Sequence, residues 1–186
     1  MSGKMIVICA PSGTGKSTLL NRLKGDIPDL VWSVSCTTRP IRQGEVHGKD
    51  YFFIKKDSFE EQIQADEFIE WAKVHSNYYG TSKRFVTEGL LNNWNMLFDL
   101  DVQGADEMKR IYGHEAQVIF IEPPSIEELE KRLMARGTDS LEVIEERIKN
   151  ARKELENKNK YDHLVLNDDV DKAYGKLKAI VERILK

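Results

Sequence analysis

Ile6-Val-Ile-Cys-Ala-Pro-Ser-Gly-Thr-Gly-Lys-Ser-Thr-Leu-Leu20 decides the fold: an apolar strand, a turn with glycines at 13 and 15, then a helix opening at Lys16. That order brings successive backbone N–H groups and the positive end of a helix dipole to one point, which suits phosphate oxygens. The stretch follows the P-loop pattern G-x-x-x-x-G-K-[ST], except that Ala10 stands where the first glycine would be. Alanine is the smallest residue with a Cβ and serves there if position 10 needs no positive φ. On this pattern Ala10, Pro11, Ser12, Gly13, Thr14, Gly15, Lys16, Ser17 and Thr18 wrap the phosphates of a nucleoside triphosphate. Lys16 reaches the β- and γ-phosphates, and the Ser17 hydroxyl ligates Mg²⁺.

The 186 residues fit one domain, or one core with an inserted lobe. With 40% hydrophobic and 32% charged residues, the composition is that of an ordinary soluble protein. A net charge of −3 argues against a nucleic-acid polymer as partner, because such domains carry a basic excess. Mononucleotides need only local positive charge. Cys9 and Cys36 are the only cysteines, too few for a disulfide framework, so a reducing compartment is expected. The histidines lack zinc-site spacing. No signal-peptide pattern opens the chain and no apolar run approaches about 18 residues, so the expected place is the cytoplasm and no membrane partner is expected.

Apolar strands alternate with helical patterns, which predicts an α/β fold with a parallel sheet built from βαβ units. Strands are expected at Met5–Cys9, Asn95–Leu100, Gln117–Ile121 and His163–Leu166. Helical periodicity follows Lys16, resumes after the capping-box pattern Ser125-x-x-Glu128, continues from Leu141 and closes the chain over Val170–Leu185. Residues 32–82 break the alternation, being rich in Thr, Tyr, Phe and Val with several turn signals and one short helical pattern from about Asp57 to Ala65. They read as a mixed β lobe holding a second substrate. The expected division is a core of 1–31, 83–124 and 156–186, the lobe 32–82, and a lid of about 125–155.

Within the lobe, Ser35, Arg39, Arg42 and Tyr51 crowd into one short span. Two guanidinium groups, a hydroxyl and a phenol suit a phosphate monoester, since guanidinium pairs bidentately with phosphate oxygens. Asp99 and Asp101 end an apolar strand two residues apart and so face the same side. In an open α/β sheet that end faces the ligand crevice.

Together with Phe68-Ile-Glu-Trp-Ala72, Asn77-Tyr-Tyr-Gly-Thr81, Asp99-Leu-Asp-Val-Gln-Gly104 and Arg136-Gly-Thr-Asp139, these motifs resemble those of the guanylate kinases. The resemblance runs from the P-loop to Asn167-Asp-Asp169, nearly the whole chain. It implies a three-layer core and phosphoryl transfer from ATP to GMP with Mg²⁺, in purine nucleotide metabolism. By resemblance, Ser35, Arg39, Arg42, Tyr51 and Tyr79 hold the GMP phosphate, while Glu70, Thr81 and Asp101 read the base. Glu70 would accept from guanine N1–H and the N2 amine, Asp101 from N2, and the Thr81 hydroxyl would donate to O6. Asp99 would act near Mg²⁺ through water. Lys16, Arg39, Arg136 and Arg147 are the implied catalytic cations, with Arg132 close to the same segment, and Asn167 lies near adenine. Both the lobe and the lid are expected to close over the sheet, because exposed ATP would be hydrolysed.

The chief rival is an inactive guanylate-kinase-like protein-binding module. Lys16, Ser17, the lid arginines and a serine at position 35, where such modules commonly carry proline, oppose it. A kinase for another nucleotide lacks this donor-reading set, and a P-loop GTPase needs an N-K-x-D segment, which Asn157-Lys-Asn-Lys160 does not supply. No interface signature sets an oligomeric state. If Ala10 leaves the loop undistorted, Ala10→Gly changes KM for ATP little; a tenfold or larger drop, on the order of 1.4 kcal/mol, would show that alanine strains the loop.

Overall fold

The computed structural model describes residues 3–74, 76–137 and 139–186, with the Arg136 side chain left outside the description. Strand β1 (Met5–Cys9) is buried along its whole length, as a central parallel strand covered on both faces must be. The turn after it opens helix α1 (Lys16–Asp26), which leads to β2 (Leu30–Trp32). A lobe follows: β3 (Cys36–Thr37), β4 (Phe52–Phe53), α2 (Lys56–Gln64), β5 (Phe68–Val74) and β6 (Asn77–Ser82). The chain then returns through α3 (Lys83–Leu91), β7 (Asn95–Asp99), α4 (Val102–Tyr112) and β8 (Ala116–Glu122). Two helices, α5 (Ile126–Arg136) and α6 (Leu141–Glu156), precede β9 (His163–Leu166) and α7 (Val170–Leu185).

Five parallel strands form the main sheet in the order β2-β7-β1-β8-β9. Side chains alternate across β1. Ile6 and Ile8 face Leu19, Leu20 and Leu23 of α1 and Leu177 and Val181 of α7. Met5, Val7 and Cys9 face Val86 of α3 and Ala105 and Met108 of α4. The core is therefore three-layered, with β1 at its centre and the P-loop leaving the middle of the sheet. The lobe is a separate mixed sheet, β4-β3-β6-β5, parallel between β3 and β4 and antiparallel elsewhere. It has a small aromatic core, where Phe59 stacks on Phe68 and Tyr78 at centroid distances of 4.4 and 5.3 Å. Helices α5 and α6 share their own cluster of Leu129, Leu133, Ile144, Ile148 and Ala151, so the lid is a packed pair.

The expected strands and the helices after Lys16, Ser125, Leu141 and Val170 agree with these elements. The capping box is half formed: Ser125 Oγ accepts from Glu128 N–H at 3.1 Å, but the Glu128 carboxylate turns to Arg132 Nε at 3.2 Å. The sequence pattern does not announce β2, α3 or α4. Strand β2 is three residues long and carries Trp32 into the main sheet, so the lobe begins beyond it. Helices α3 and α4 bury small residues, Gly89, Gly104 and Ala105 among them, so few large apolar side chains mark their inward faces. Among the described residues, no helix is long and apolar enough to cross a membrane.

Leu23 lies at the α1–sheet contact and is fully buried. Leu23→Ala is expected to lower the unfolding free energy by about 2–5 kcal/mol in urea titrations, through lost transfer energy plus a residual cavity.

Candidate active site

The loop after β1 adopts its curl at two glycines, Gly13 (φ 89°) and Gly15 (φ 96°). Both lie in the left-handed region that side chains oppose. Ala10 is buried and is not among the non-glycine residues with positive φ, which in the described chain are Asp66 and Asn93. The condition for alanine at that position is met. Thr14 ties the loop to itself, its Oγ1 donating to the Pro11 carbonyl at 2.7 Å. The Thr14 carbonyl in turn accepts from Asn167 Nδ2 at 2.7 Å and from Arg132 at 3.3 Å. Lys16 reaches across to the end of β7, forming an ion pair with Asp99 at 2.7 Å and donating to the Leu100 carbonyl.

One cleft of about 980 Å³ is lined by Ala10 to Ser17 on one side and by Ser35, Arg42, Tyr51, Glu70 and Tyr79 of the lobe on the other. Asp99 and Asp101 form its floor, with Arg132 and Arg147 at the lid. A smaller recess of about 290 Å³ adjoins it, sharing Ser17, Ser35, Arg42, Tyr51, Tyr79 and Asp99 and adding Arg39. Tyr51 and Tyr79 meet edge to face at 6.0 Å. Burial holds the Tyr51 phenol well above its usual range, so it is a proton donor at neutral pH. Arg39 is buried and held bidentately by Glu45, at 3.0 and 2.6 Å. Glu45 also accepts from the Arg42 N–H at 2.8 Å, so one carboxylate positions both arginines. Glu45 escapes a sequence reading because a loop carboxylate follows no period; its only signal is an acid three residues after Arg42.

Glu70 sits on the inward face of β5, where alternation calls for an apolar residue, next to a register shift between Phe68 and Glu70. Its cross-strand neighbour Thr81, fully buried, donates to Oε1 at 2.5 Å. Thr81 therefore lies behind Glu70 and orients it. The hydroxyl expected to meet guanine O6 is thus within hydrogen-bond distance of the Glu70 carboxylate. Burial pushes the Glu70 carboxyl up to about 7, the Thr81 hydrogen bond opposes the rise, and the Asp101 charge adds to it. Asp101 caps α4, with Oδ1 accepting from Gly104 N–H at 2.8 Å. Its Oδ2 is buried and has no hydrogen-bond partner among the described residues.

From the lid, Arg147 donates to Ser12 Oγ at 2.9 Å and pairs with Asp139 at 3.3 Å. The Arg136 side chain lies outside the described residues. Glu154 of α6 also lines the cleft; burial and then the Asp101 charge push it up to about 7, against the pull of Lys16. Asn167, expected near adenine, is buried against the P-loop, its amide donating to the Thr14 carbonyl. Thr18 is exposed on α1 and does not line the cleft.

A glycine-turned loop at the centre of a parallel sheet, facing a donor-rich lobe across one cleft, defines a P-loop nucleotide-binding α/β protein. The family model described as guanylate kinase matches residues 2–184. A guanylate kinase of Nitratidesulfovibrio vulgaris is 47% identical over 178 residues, covering 96% of this chain and 86% of that one. One of Novosphingobium aromaticivorans is 44% identical over 179 residues, covering 96% and 81%. The crystal structure of guanylate kinase from Anaplasma phagocytophilum superposes with a TM-score of 0.78 at 29% identity, covering 99% of this chain and 87% of that one. The chain belongs to the guanylate kinase family.

A carboxyl raised from 4.5 to about 7 on folding favours the native state below pH 4.5, and that advantage is lost as pH rises through about 7. Urea unfolding of the wild type and Glu70→Gln across this window is expected to show the wild type losing stability relative to the variant as pH rises. Parallel curves would contradict the burial of an ionisable Glu70.

Proposed function

We propose that this member of the guanylate kinase family transfers the γ-phosphoryl group of ATP to GMP, with the cleft residues dividing the work as follows. The observation that carries the reading is the pair Glu70 and Asp101, with a buried, unpartnered Asp101 Oδ2, facing the same cleft as the P-loop. Guanine presents N1–H and its 2-amino group side by side, a donor edge that two carboxylates complete. Adenine has an acceptor at N1 and no 2-amino group, so it would leave both carboxylates unpaired. A site built on such hydrogen bonds can reject the analogue by on the order of 10⁴.

Ser35, Arg39, Arg42, Tyr51 and Tyr79 hold the GMP phosphate, with Arg39 sharing its guanidinium between Glu45 and the ligand. The P-loop amides and Lys16 hold the ATP phosphates. A GMP phosphate oxygen bonds to the γ-phosphorus while the bond from that phosphorus to the β–γ bridging oxygen breaks, giving GDP and ADP. Positioning and charge neutralisation carry the catalysis. Arg147, already on Ser12, and Arg136 supply lid charge, and closure keeps water from the γ-phosphate. The Ser17 hydroxyl and the Asp99 carboxylate, both facing the cleft, are hard oxygen donors that fit Mg²⁺, Asp99 through water. Bound with ATP, Mg²⁺ would neutralise β- and γ-phosphate charge. The free thiols Cys9 and Cys36 suit a reducing cytoplasm.

The test is ADP production from ATP, with and without Mg²⁺, with GMP, AMP, CMP and UMP offered separately. Mg²⁺-dependent turnover with GMP alone is the expected result. Turnover with AMP or a pyrimidine nucleotide would overturn the base assignment. Folded protein that turns over none of them would be a binding module.

A further inference from the structure

Gly104 lies in the first turn of α4, buried, at the place where that helix packs on β5 of the lobe. A methyl group added at its Cα would stand 2.8 Å from Glu70 Oε2, 3.2 Å from Glu70 Cδ and 3.4 Å from Asp101 Oδ1. The first distance is too short for a carbon–oxygen contact. The backbone of Gly104 does not itself need glycine, since it is not among the positive-φ glycines. In an ordinary helix alanine would be the better residue. What glycine supplies here is space. The same residue's backbone N–H, which alanine would keep, holds Asp101 Oδ1 at 2.8 Å.

We propose that Gly104 is a specificity-determining, positioning residue: its missing Cβ is the room that the Glu70 carboxylate occupies, and its N–H orients Asp101. One backbone position in the core thereby brings a lobe carboxylate and a core carboxylate to the same base edge. Glu70 is anchored at Oε1 by Thr81, so a methyl group at 104 swings Oε2 away from its place or holds the lobe off the core. The displaced atom is the end of a flexible side chain, which the fold absorbs. The loss falls on the alignment of the two acceptors, and the ligand that feels it is a purine carrying both N1–H and a 2-amino group. The inference rests on the reading of Glu70 and Asp101 as the base-reading pair.

The experiment compares wild type, Gly104→Ala, Glu70→Gln and the double variant. It measures KM for GMP and ATP, the kcat/KM ratio of GMP to inosine monophosphate, which lacks the 2-amino group, and thermal unfolding. Gly104→Ala is expected to unfold no earlier than wild type and to raise KM for GMP on the order of tenfold or more. It should leave KM for ATP within about twofold, the scatter of a remote surface change, and lower the preference for GMP over inosine monophosphate. In the Glu70→Gln background it should add little, as expected of residues acting on one contact. An unchanged GMP constant and preference in Gly104→Ala, with both shifted in Glu70→Gln, overturns the inference and leaves the base-reading assignment standing. No shift in Glu70→Gln overturns both. Fully additive effects, or a Gly104→Ala protein that does not fold, make the glycine a structural requirement and overturn the inference.

Discussion

A loop that offers most of its N–H groups to a ligand has few left to hold itself and relies largely on its carbonyls and side chains. Thr14 is where this happens. Its hydroxyl and its N–H close the turn on the Pro11 carbonyl, and its own carbonyl receives Asn167 and Arg132. Asn167 follows β9 and Arg132 belongs to α5, so the loop is tied to an edge strand of the sheet and to the lid. Parallel strands make this possible, because β1, β8 and β9 end on the same side and bring distant segments together. Arg147 adds a second tie from the lid, onto Ser12. Helices α5 and α6 are thus each in direct contact with the loop.

The other end of the cleft is organised by a liability. Glu70 and Asp101 are two carboxylates brought together inside the protein, where burial and like charge oppose ionisation of Glu70. Each has one oxygen secured: Glu70 by Thr81, Asp101 by Gly104. Of the remaining oxygens, Asp101 Oδ2 is buried with no hydrogen-bond partner among the described residues. A buried acceptor without a partner costs stability relative to an apolar filling, and it rewards a ligand that supplies the missing donor. Glu45 plays the corresponding part for cations, keeping Arg39 and the Arg42 backbone in one arrangement next to Tyr51.

Local pattern carried much of the fold. The run from Ile6 to Leu20 has strand, turn and helix signals in immediate succession, and β8, β9, α6 and α7 are periodic enough to be read from side-chain spacing alone. Helices α3 and α4 were not, although they are amphipathic, because their buried faces carry few large apolar side chains and include Gly89, Gly104 and Ala105. The members of the site were largely legible as residue types, but their partners were not. Asn167 and Thr81 were legible as polar residues in matching motifs. That one braces Thr14 and the other turns toward Glu70 depends on neighbours 153 and 11 residues away.

The sequence by itself determined the phosphate loop, the α/β class, the inserted lobe and the family, since each rests on residue types at short fixed spacings. Only the tertiary structure decided which oxygens face the cleft, that Glu45 holds Arg39, and that Gly104 makes room for Glu70. Those depend on how β5 of the lobe settles against α4 of the core. Packing between segments distant in the chain sets distances of a few tenths of an ångström, and no local pattern encodes them.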